Sequence, residues 1–331
     1  MKKLILTVPV LIVISISAAV VMLLLGLWVW AISVSVFAFI LNWWSETFAL
    51  HLLSRNKDGY DFRVLTFNVN RAHKVSVNKG STDELIDFIL HQDADIVLLQ
   101  EYNAGLYPSV QERFDLVYPY GNGIDNANRF KSVFSRFPIE SCEQIMIDST
   151  NPQYELFQNA LYCKKNQDGK EILPICNLII RIGERRLQVF NCHLMSNNYS
   201  VVIRNLRKKS KCLWHGILPI LHRMNFGYQA RELQTKVLVN HIDSNIPTLV
   251  CGDFNDIGGS VPLRRLQKSG FYDAWWKGGF GFGFTFHGLG LRFRLDHILY
   301  TPDCIRLRKV SIPHSNVSDH DPLICDLFFK T

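Results

Sequence analysis

The sequence predicts one α/β domain of about 270 residues behind an N-terminal membrane anchor. Three observations carry this reading. No charged residue occurs from Leu4 to Ser45. From Phe62 onward, short runs of strand formers alternate with amphipathic stretches. Most of those strand runs end in an acid, an amide or an imidazole. The boundaries that follow are an anchor over residues 1–53, a polar, turn-rich linker "SRNKDGYD" over 54–61, and a domain over 62–331. With 48% hydrophobic residues the chain can bury a sizeable core, and it carries no P-loop signature. The 36 Lys+Arg against 29 Asp+Glu give a net charge of +7, which suits an anionic partner such as nucleic acid or a phospholipid surface.

The uncharged stretch is about twice the ~20 residues that one membrane span needs. It also far exceeds the ~7–15-residue apolar region of a cleaved signal peptide. Two passes fit, roughly over 4–25 and 28–50, with a tight turn near Gly26. Trp28 and Trp30 would mark one interface, Trp43 and Trp44 the other. Lys2 and Lys3 precede the run and Arg55 and Lys57 follow it, so the positive-inside tendency puts both ends, and the domain, on the cytoplasmic side. None of the eight cysteines forms a CxxC pair, and several sit in apolar runs. They read as reduced core residues, in keeping with that side, with a disulfide or two in an oxidising compartment as the alternative.

Within the domain, "FRVLTFNVN" (62–70) is rich in strand formers. "STDELIDFILHQ" (81–92) reads as a helix capped by Ser81 or Thr82, with Leu85, Phe88 and Ile89 on one face. "DIVLLQE" (95–101) is a buried-strand run, and "KSVFSRFPI" (131–139) another strand ending at a proline. "ICNLIIRIGERRLQVFNCHL" (175–194) reads as a hairpin turning near Gly183–Glu184. "YQARELQTKVLVNHID" (228–243) is a helix, "TLVCGDF" (248–254) a strand, and "LDHILY" (295–300) and "PLICDLFF" (322–329) complete the series.

The polar groups at the strand ends are Asn68 and Asn70, Glu101, His193, Asp253 and Asn255, Asp296 beside His297, and Asp319, His320 and Asp321. Residues two apart in a strand share a face, so Asp253 and Asn255 project together while Phe254 packs behind them. Each group alone has a structural explanation: a solvated strand end for Glu101, a hydrogen-bonded core histidine for His193, turn chemistry for Asp256, Asp319 and Asp321. The set carries the functional reading.

That set, "FNVN", "LLQE", "NCHL", "GDFND", "RLDH" and "SDHDPL" in this order, resembles the endonuclease/exonuclease/phosphatase superfamily over roughly residues 62–330. "SVFSRFPI" is similar to the family's Ser-Arg-x-Pro strand end, and the anchor together with "GFGFTF" resembles membrane-anchored bacterial members. The resemblance implies a four-layer α/β/β/α sandwich, two packed β-sheets flanked by helices, behind a transmembrane helical hairpin in a bacterial inner membrane. It implies hydrolysis of a phosphoester assisted by Mg²⁺ or Mn²⁺, a hard cation that prefers carboxylate and amide oxygens. On that resemblance, Glu101 is the main metal ligand with Asn68 beside it, and Asp319 is a second-metal candidate. Asp253 holds and polarises the attacking water, and Asn255 gives its amide to a phosphate oxygen. His320 acts as base or charge stabiliser with Asp296 as its orienter, and His193 stabilises the phosphate or protonates the leaving oxygen. Two positions depart from the family pattern. Asn70 stands where some relatives carry an acid, and His297 where an aromatic is common.

Between "NCHL" and "GDFND", Arg204, Arg207, Lys208, Lys209 and Lys211 crowd together among Leu206, Leu213 and Trp214. Their structural explanation is a solvated helical face; the functional one is contact with a nucleic acid backbone or a membrane surface. A nuclease is the leading expectation. An enzyme acting on lipid headgroups or small phosphoesters at the bilayer is the alternative. A catalytically inactive membrane scaffold, from another class altogether, would have shown itself by loss of Glu101 or His320, and both are present. The catalytic domain is expected to be monomeric.

Overall fold

A computed structural model of the chain describes residues 8–51, 59–70, 82–102, 108–121, 132–147, 164–165, 171–196, 214–288 and 292–330. The basic cluster Arg204, Arg207, Lys208, Lys209 and Lys211, the capping residue Ser81 and most of the expected linker lie outside the described residues.

Helices α1 (Val8–Leu24) and α2 (Trp28–Ser45) form an apolar N-terminal pair, turning through residues 25–27. By length and hydropathy α2 is sufficient to cross a membrane, and α1 is an apolar helix somewhat shorter. Leu24, Trp28, Val29, Trp30, Phe39 and Trp43 stand exposed along the pair. The second helix stops at Ser45, earlier than the expected span to residue 50, because Asn42 reverses the chain. Its Oδ1 accepts from Phe48 N (2.7 Å) and its Nδ2 donates to Phe48 O (2.9 Å). Glu46 takes a left-handed conformation there, and its N–H donates to Asn42 O. The next residues join the domain: β1 (Ala49–Leu50) pairs with Phe280–Gly281.

The chain continues through β2 (Phe62–Asn68), α3 (Thr82–His91), β3 (Ile96–Gln100), α4 (Pro108–Val117), β4 (Tyr120–Gly121) and β5 (Val133–Ser135). It then runs through β6 (Ile139–Ile147), β7 (Lys164–Lys165), β8 (Glu171–Ile182), β9 (Arg185–His193), α5 (Trp214–Val239) and β10 (Thr248–Asp253). The last elements are α6 (Val261–Lys268), β11 (Tyr272–Asp273), α7 (Ala274–Gly278), β12 (Phe280–Gly281), β13 (Asp296–Tyr300), β14 (Ile305–Ser311) and β15 (Leu323–Phe329). Two of these correct the sequence reading. "KSVFSRFPI" is not one strand: Pro138 separates β5 and β6, which belong to different sheets. The helix read over 228–243 begins earlier, at Trp214, and ends at Val239.

One sheet has the order β14-β15-β2-β3-β5-β4, the other β11-β13-β10-β9-β8-β6 with β7 added on β8. Both contain parallel and antiparallel pairs. Phe62, Val64, Ile96 and Leu98 of the first sheet pack against Leu178, Val189, Leu249 and Ile298 of the second. The alternate residues face outward onto helices. Leu65, Phe67, Val97 and Leu99 meet Leu85, Ile86 and Ile89 of α3 and Phe114 of α4, while Phe190, Val250 and Leu299 meet Ala230, Leu233 and Leu238 of α5 and Leu266 of α6. The central strands are covered on both faces, which is why their sequences are almost continuously apolar. The result is the predicted four-layer sandwich.

Candidate active site

Register assembles the site. In the second sheet, β10 pairs with β9 on one side and β13 on the other, and Asp253 stands opposite both His193 and Asp296. In the first, parallel β2 and β3 set Asn68 opposite Gln100, one residue before Glu101. Strand ends from the two sheets therefore deliver their polar residues to one place. Gly252 makes the approach possible: it has φ 134°, and a Cβ there would lie 1.9 Å from the Cys192 carbonyl oxygen. Of the five non-glycine residues with positive φ among the described residues, three are Asn70, Glu101 and Asn255. Asn tolerates this conformation; Glu101 does not do so readily, and the cost of about 1–3 kcal/mol marks a backbone held in place by its surroundings.

Asp253, 1% exposed, lies at the centre. Asn68 Nδ2 donates to Asp253 Oδ2 at 2.9 Å and lies 3.5 Å from Glu101 Oε1, while Asn68 Oδ1 accepts from Asn70 N at 2.9 Å. His193 Nε2 sits 3.6 Å from Glu101 Oε1 and 3.8 Å from Asp253 Oδ2. His320 Nε2 is 3.9 Å from the same Asp253 oxygen, and its Nδ1 is 2.8 Å from Asp296 Oδ2. Asp253 Oδ1 accepts from Asn255 N at 2.8 Å. Glu101, Asn68, His193, Asp253, Asp296 and His320 are thus brought together. Asn255 Nδ2 donates to the Leu194 carbonyl at 2.9 Å, tying the loop after β10 to the end of β9. Asp319 accepts from Asn70 Nδ2 at 2.8 Å, so the amide at position 70 holds Asp319 in place.

The electrostatics are those of a buried imidazolium–carboxylate pair. Burial works against charge on His320, but the Asp296 carboxylate, with Asp253 and Asp319 adding to it, outweighs burial and carries the imidazole pKa up to about 10. Burial pushes Asp296 above the usual carboxylate range, against the pull of His320. Asp253, Asp296 and His320 offer atoms within 4.8 Å of one another, arranged as an imidazole held by Asp296 on Nδ1 and facing Asp253 through Nε2. The half-buried Glu101 carboxylate suits a hard divalent cation, which prefers oxygen donors; the Asn68 side chain beside it turns its Nδ2 toward Glu101 and its Oδ1 toward Asn70 N.

Several supporting residues escaped the sequence reading. Gln100 Nε2 donates to Asn191 Oδ1 (2.7 Å) and Thr66 Oγ1 (3.0 Å), and Asn191 Nδ2 donates to the Leu99 carbonyl (3.1 Å), stitching β3 to β9 across the sheets below the site. Ser318 Oγ donates to the Asn68 carbonyl (2.8 Å) and accepts from His320 N (3.1 Å). Phe286 packs edge-on to His320. A polar residue inside each apolar run, Gln100 in "VLLQE" and Asn191 in "VFNC", was the available signal. His297, the other departure, is fully buried beneath the site, with Nδ1 2.7 Å from Asp273 Oδ2 and Nε2 3.1 Å from the Asp256 carbonyl. Asp256 is structural, as read: it pairs with Arg231 at 3.0 Å.

Two mixed sheets packed face to face, helices outside, and carboxylates, amides and imidazoles gathered where the strands of both sheets end define a four-layer α/β/β/α sandwich with a candidate hydrolytic site at one end. The chain belongs to the endonuclease/exonuclease/phosphatase family, whose model matches residues 65–320. Members of this family are typically divalent-metal hydrolases of phosphoester bonds. Among solved structures, the endonuclease/exonuclease/phosphatase from Bacteroides vulgatus is similar at 17% identity with a TM-score of 0.55, covering 81% of this chain and 99% of its own. A family protein from Bacteroides thetaiotaomicron is similar at 16% identity and a TM-score of 0.52, covering 82% of this chain and 98% of its own. The catalytic domain of human Nocturnin, with a bound sulfate anion, is similar at 19% identity and a TM-score of 0.51, covering 83% and 97%. At these identities the likeness concerns the fold. No curated protein matches the chain.

Proposed function

We propose that the chain is a membrane-anchored, divalent-metal-dependent phosphodiesterase. The observation that supports it most is Asp253, which lies at once 2.9 Å from Asn68 Nδ2, 3.8 Å from His193 Nε2 and 3.9 Å from His320 Nε2, in a site whose outer carboxylate is Glu101. In this reading Glu101 would hold Mg²⁺ or Mn²⁺, with Asn68 beside it and Asp319 as a further oxygen donor. The cation supplies positive charge to offset the anionic phosphoester. Asp253, oriented by Asn68 and by the Asn255 N–H, holds a water and takes its proton as the water oxygen bonds to phosphorus. His320, kept protonated by Asp296, donates to the phosphoryl oxygens where negative charge accumulates. His193 gives a proton to the leaving oxygen as the phosphorus–oxygen bond breaks. Asn255 offers its remaining amide N–H to phosphate.

A nucleic acid is the first substrate class, on the net charge of +7 and the basic residues 204–211. A second class, phosphoesters of the bilayer surface, is favoured by a different observation. Ile257, Phe293 and Leu295, within a few residues of Asp253 and Asp296, pack with Val8, Ile12, Leu41 and Trp44 of the apolar pair. A site tethered this close to its anchor meets lipid at high effective concentration. The exposed apolar side chains of α1 and α2 suit a lipid surround. The anchor is taken as residues 1–53 and the catalytic domain as 62–331, facing the cytoplasm.

The test is hydrolysis of plasmid DNA, RNA, sphingomyelin and bis-p-nitrophenyl phosphate by the full chain in detergent, with Glu101→Gln and Asp253→Asn beside it. Mg²⁺- or Mn²⁺-dependent turnover lost in both variants is expected. Absence of such turnover on every phosphoester would favour the scaffold reading. A C-terminal alkaline phosphatase fusion at Thr331 is expected to be inactive; high periplasmic activity would overturn the topology.

A further inference from the structure

On the back of the ribbon that carries His320, the structure assembles two imidazoles and a carboxylate that the mechanism does not use. Phe286 and His320 form an antiparallel bridge, His287 N donates to the Asp319 carbonyl (2.9 Å), and Asp321 N donates to the Thr285 carbonyl (2.6 Å). Side chains alternate across such a ribbon, so His287 and Asp321 face away from the Phe286–His320 pair. His287 Nε2 lies 2.9 Å from Asp321 Oδ2, and His314 Nδ1 lies 3.2 Å from Asp321 Oδ1. The two rings meet edge to face, with centroids 5.5 Å apart. The ligand atoms all fall within 4.8 Å of one another.

Hydrogen bonds join His314 to Asp321, but none accounts for His287. His287 Nε2 is buried and close to the carboxylate, yet it has no aligned hydrogen-bond partner. A ring nitrogen 2.9 Å from an oxygen but off the hydrogen-bond line needs only a small opening, to the ~3.4 Å between two ligands of a tetrahedral ion, to share a cation with it. Asp321 is fixed independently, its Oδ1 accepting from Ser315 N at 2.7 Å, while Oδ2 faces His287 at 2.9 Å and lies 3.5 Å from His314 Nδ1. His314 is exposed, so one side of the cluster opens to solvent for a water.

We propose that His287, His314 and Asp321 form a second cation site, distinct from the one at Glu101, for a divalent transition-metal ion of the Zn²⁺ class. Two imidazoles and one carboxylate with an open position suit tetrahedral Zn²⁺, at metal–ligand distances of ~2.0–2.2 Å, and not Mg²⁺, which takes oxygen. The ion would clamp the 314–321 loop to the 285–287 strand and so stiffen the segment that presents His320.

The test uses the full chain in detergent, stripped of metal and held in excess Mg²⁺ so that Glu101 is served. Zn²⁺ is titrated against a chromophoric chelator for the wild type, His314→Gln, and His287→Gln/His314→Gln. The wild type is expected to take up one equivalent, raising its melting temperature. The double variant is expected to bind at least ~10-fold more weakly. The exposed position of His314 keeps the single variant folded, and equal far-UV spectra and melting temperatures without Zn²⁺ check this. Co²⁺ substitution is expected to give visible ligand-field bands in the wild type that vanish in His314→Gln. Uptake that is equal in wild type and double variant, or Zn²⁺ displaced by Mg²⁺, would overturn the site and leave a plain histidine–carboxylate contact. None of the three readouts depends on turnover.

Discussion

At the scale of single residues, charge placement governs what each group can do. His320 owes its raised pKa to Asp296, so the alkaline limb of kcat/KM is expected at about pH 10. Asp296→Asn removes the main carboxylate partner, and the limb should then move down toward the ordinary imidazole value of ~6.5. A pH profile of both proteins on bis-p-nitrophenyl phosphate checks the sign. Asp253→Asn keeps the shape but removes the proton acceptor, and kcat is expected to fall by ~10²–10⁴. Asp253, Asp296, His320, Glu101 and His193 stood out in the sequence as a set, polar groups bordering apolar runs in an order that resembles the family, and not one by one. Thr66, Thr285 and Ser318 did not, since a lone hydroxyl is ordinary in any strand or turn and acquires meaning only from what it faces.

At the scale of elements, the site depends on how closely β9 and β10 approach. Gly252→Ala would push a Cβ into the Cys192 carbonyl and force an L side chain into φ 134°. A loss on the order of 3 kcal/mol or more is expected, read as a lowered midpoint in denaturant unfolding. Gln100 and Asn191 join the sheets directly below the site, and each is almost fully buried. Gln100→Leu strands the Asn191 oxygen and should cost ~1–3 kcal/mol. Strand existence was readable from composition and length, and the 183–184 turn from its Gly-Glu pair. The division of "KSVFSRFPI" between two sheets was not, because sheet assignment depends on partners far away in the chain.

At the scale of the whole molecule, the apolar pair is built into the domain. Gly258 and Gly259 lie against the end of α2, where a Cβ on Gly258 would fall 2.5 Å from the Ser45 carbonyl oxygen. Arg264 donates to the Trp44 carbonyl (2.7 Å) and covers its ring, and Arg294 donates to the Glu46 carbonyl (2.9 Å) and pairs with Asp273 at 2.7 Å. Burial alone would raise the Asp273 pKa, but Arg294 and His297 hold it well below the usual carboxylate range. Its contribution is complete above the ordinary carboxylate pKa of ~3.9 and is lost as pH falls below that. Asp273→Asn should destabilise the full chain by ~3–5 kcal/mol at neutral pH, and much less near pH 2. Glu46, pushed up by burial and by Asp273, tolerates neutrality, so Glu46→Gln should stay within ~0.5 kcal/mol; thermal melts of both variants across pH decide the pair. The sequence alone determined the apolar pair, most of the central strands, and the residue types that end them, because periodicity and charge avoidance are local properties. Only the tertiary structure decided that Ala49–Leu50 pairs with Phe280–Gly281 and that His297 lies buried under the site. It alone placed His287, His314 and Asp321 together, because contacts between distant segments are set by register and sheet packing, which no single stretch of sequence encodes.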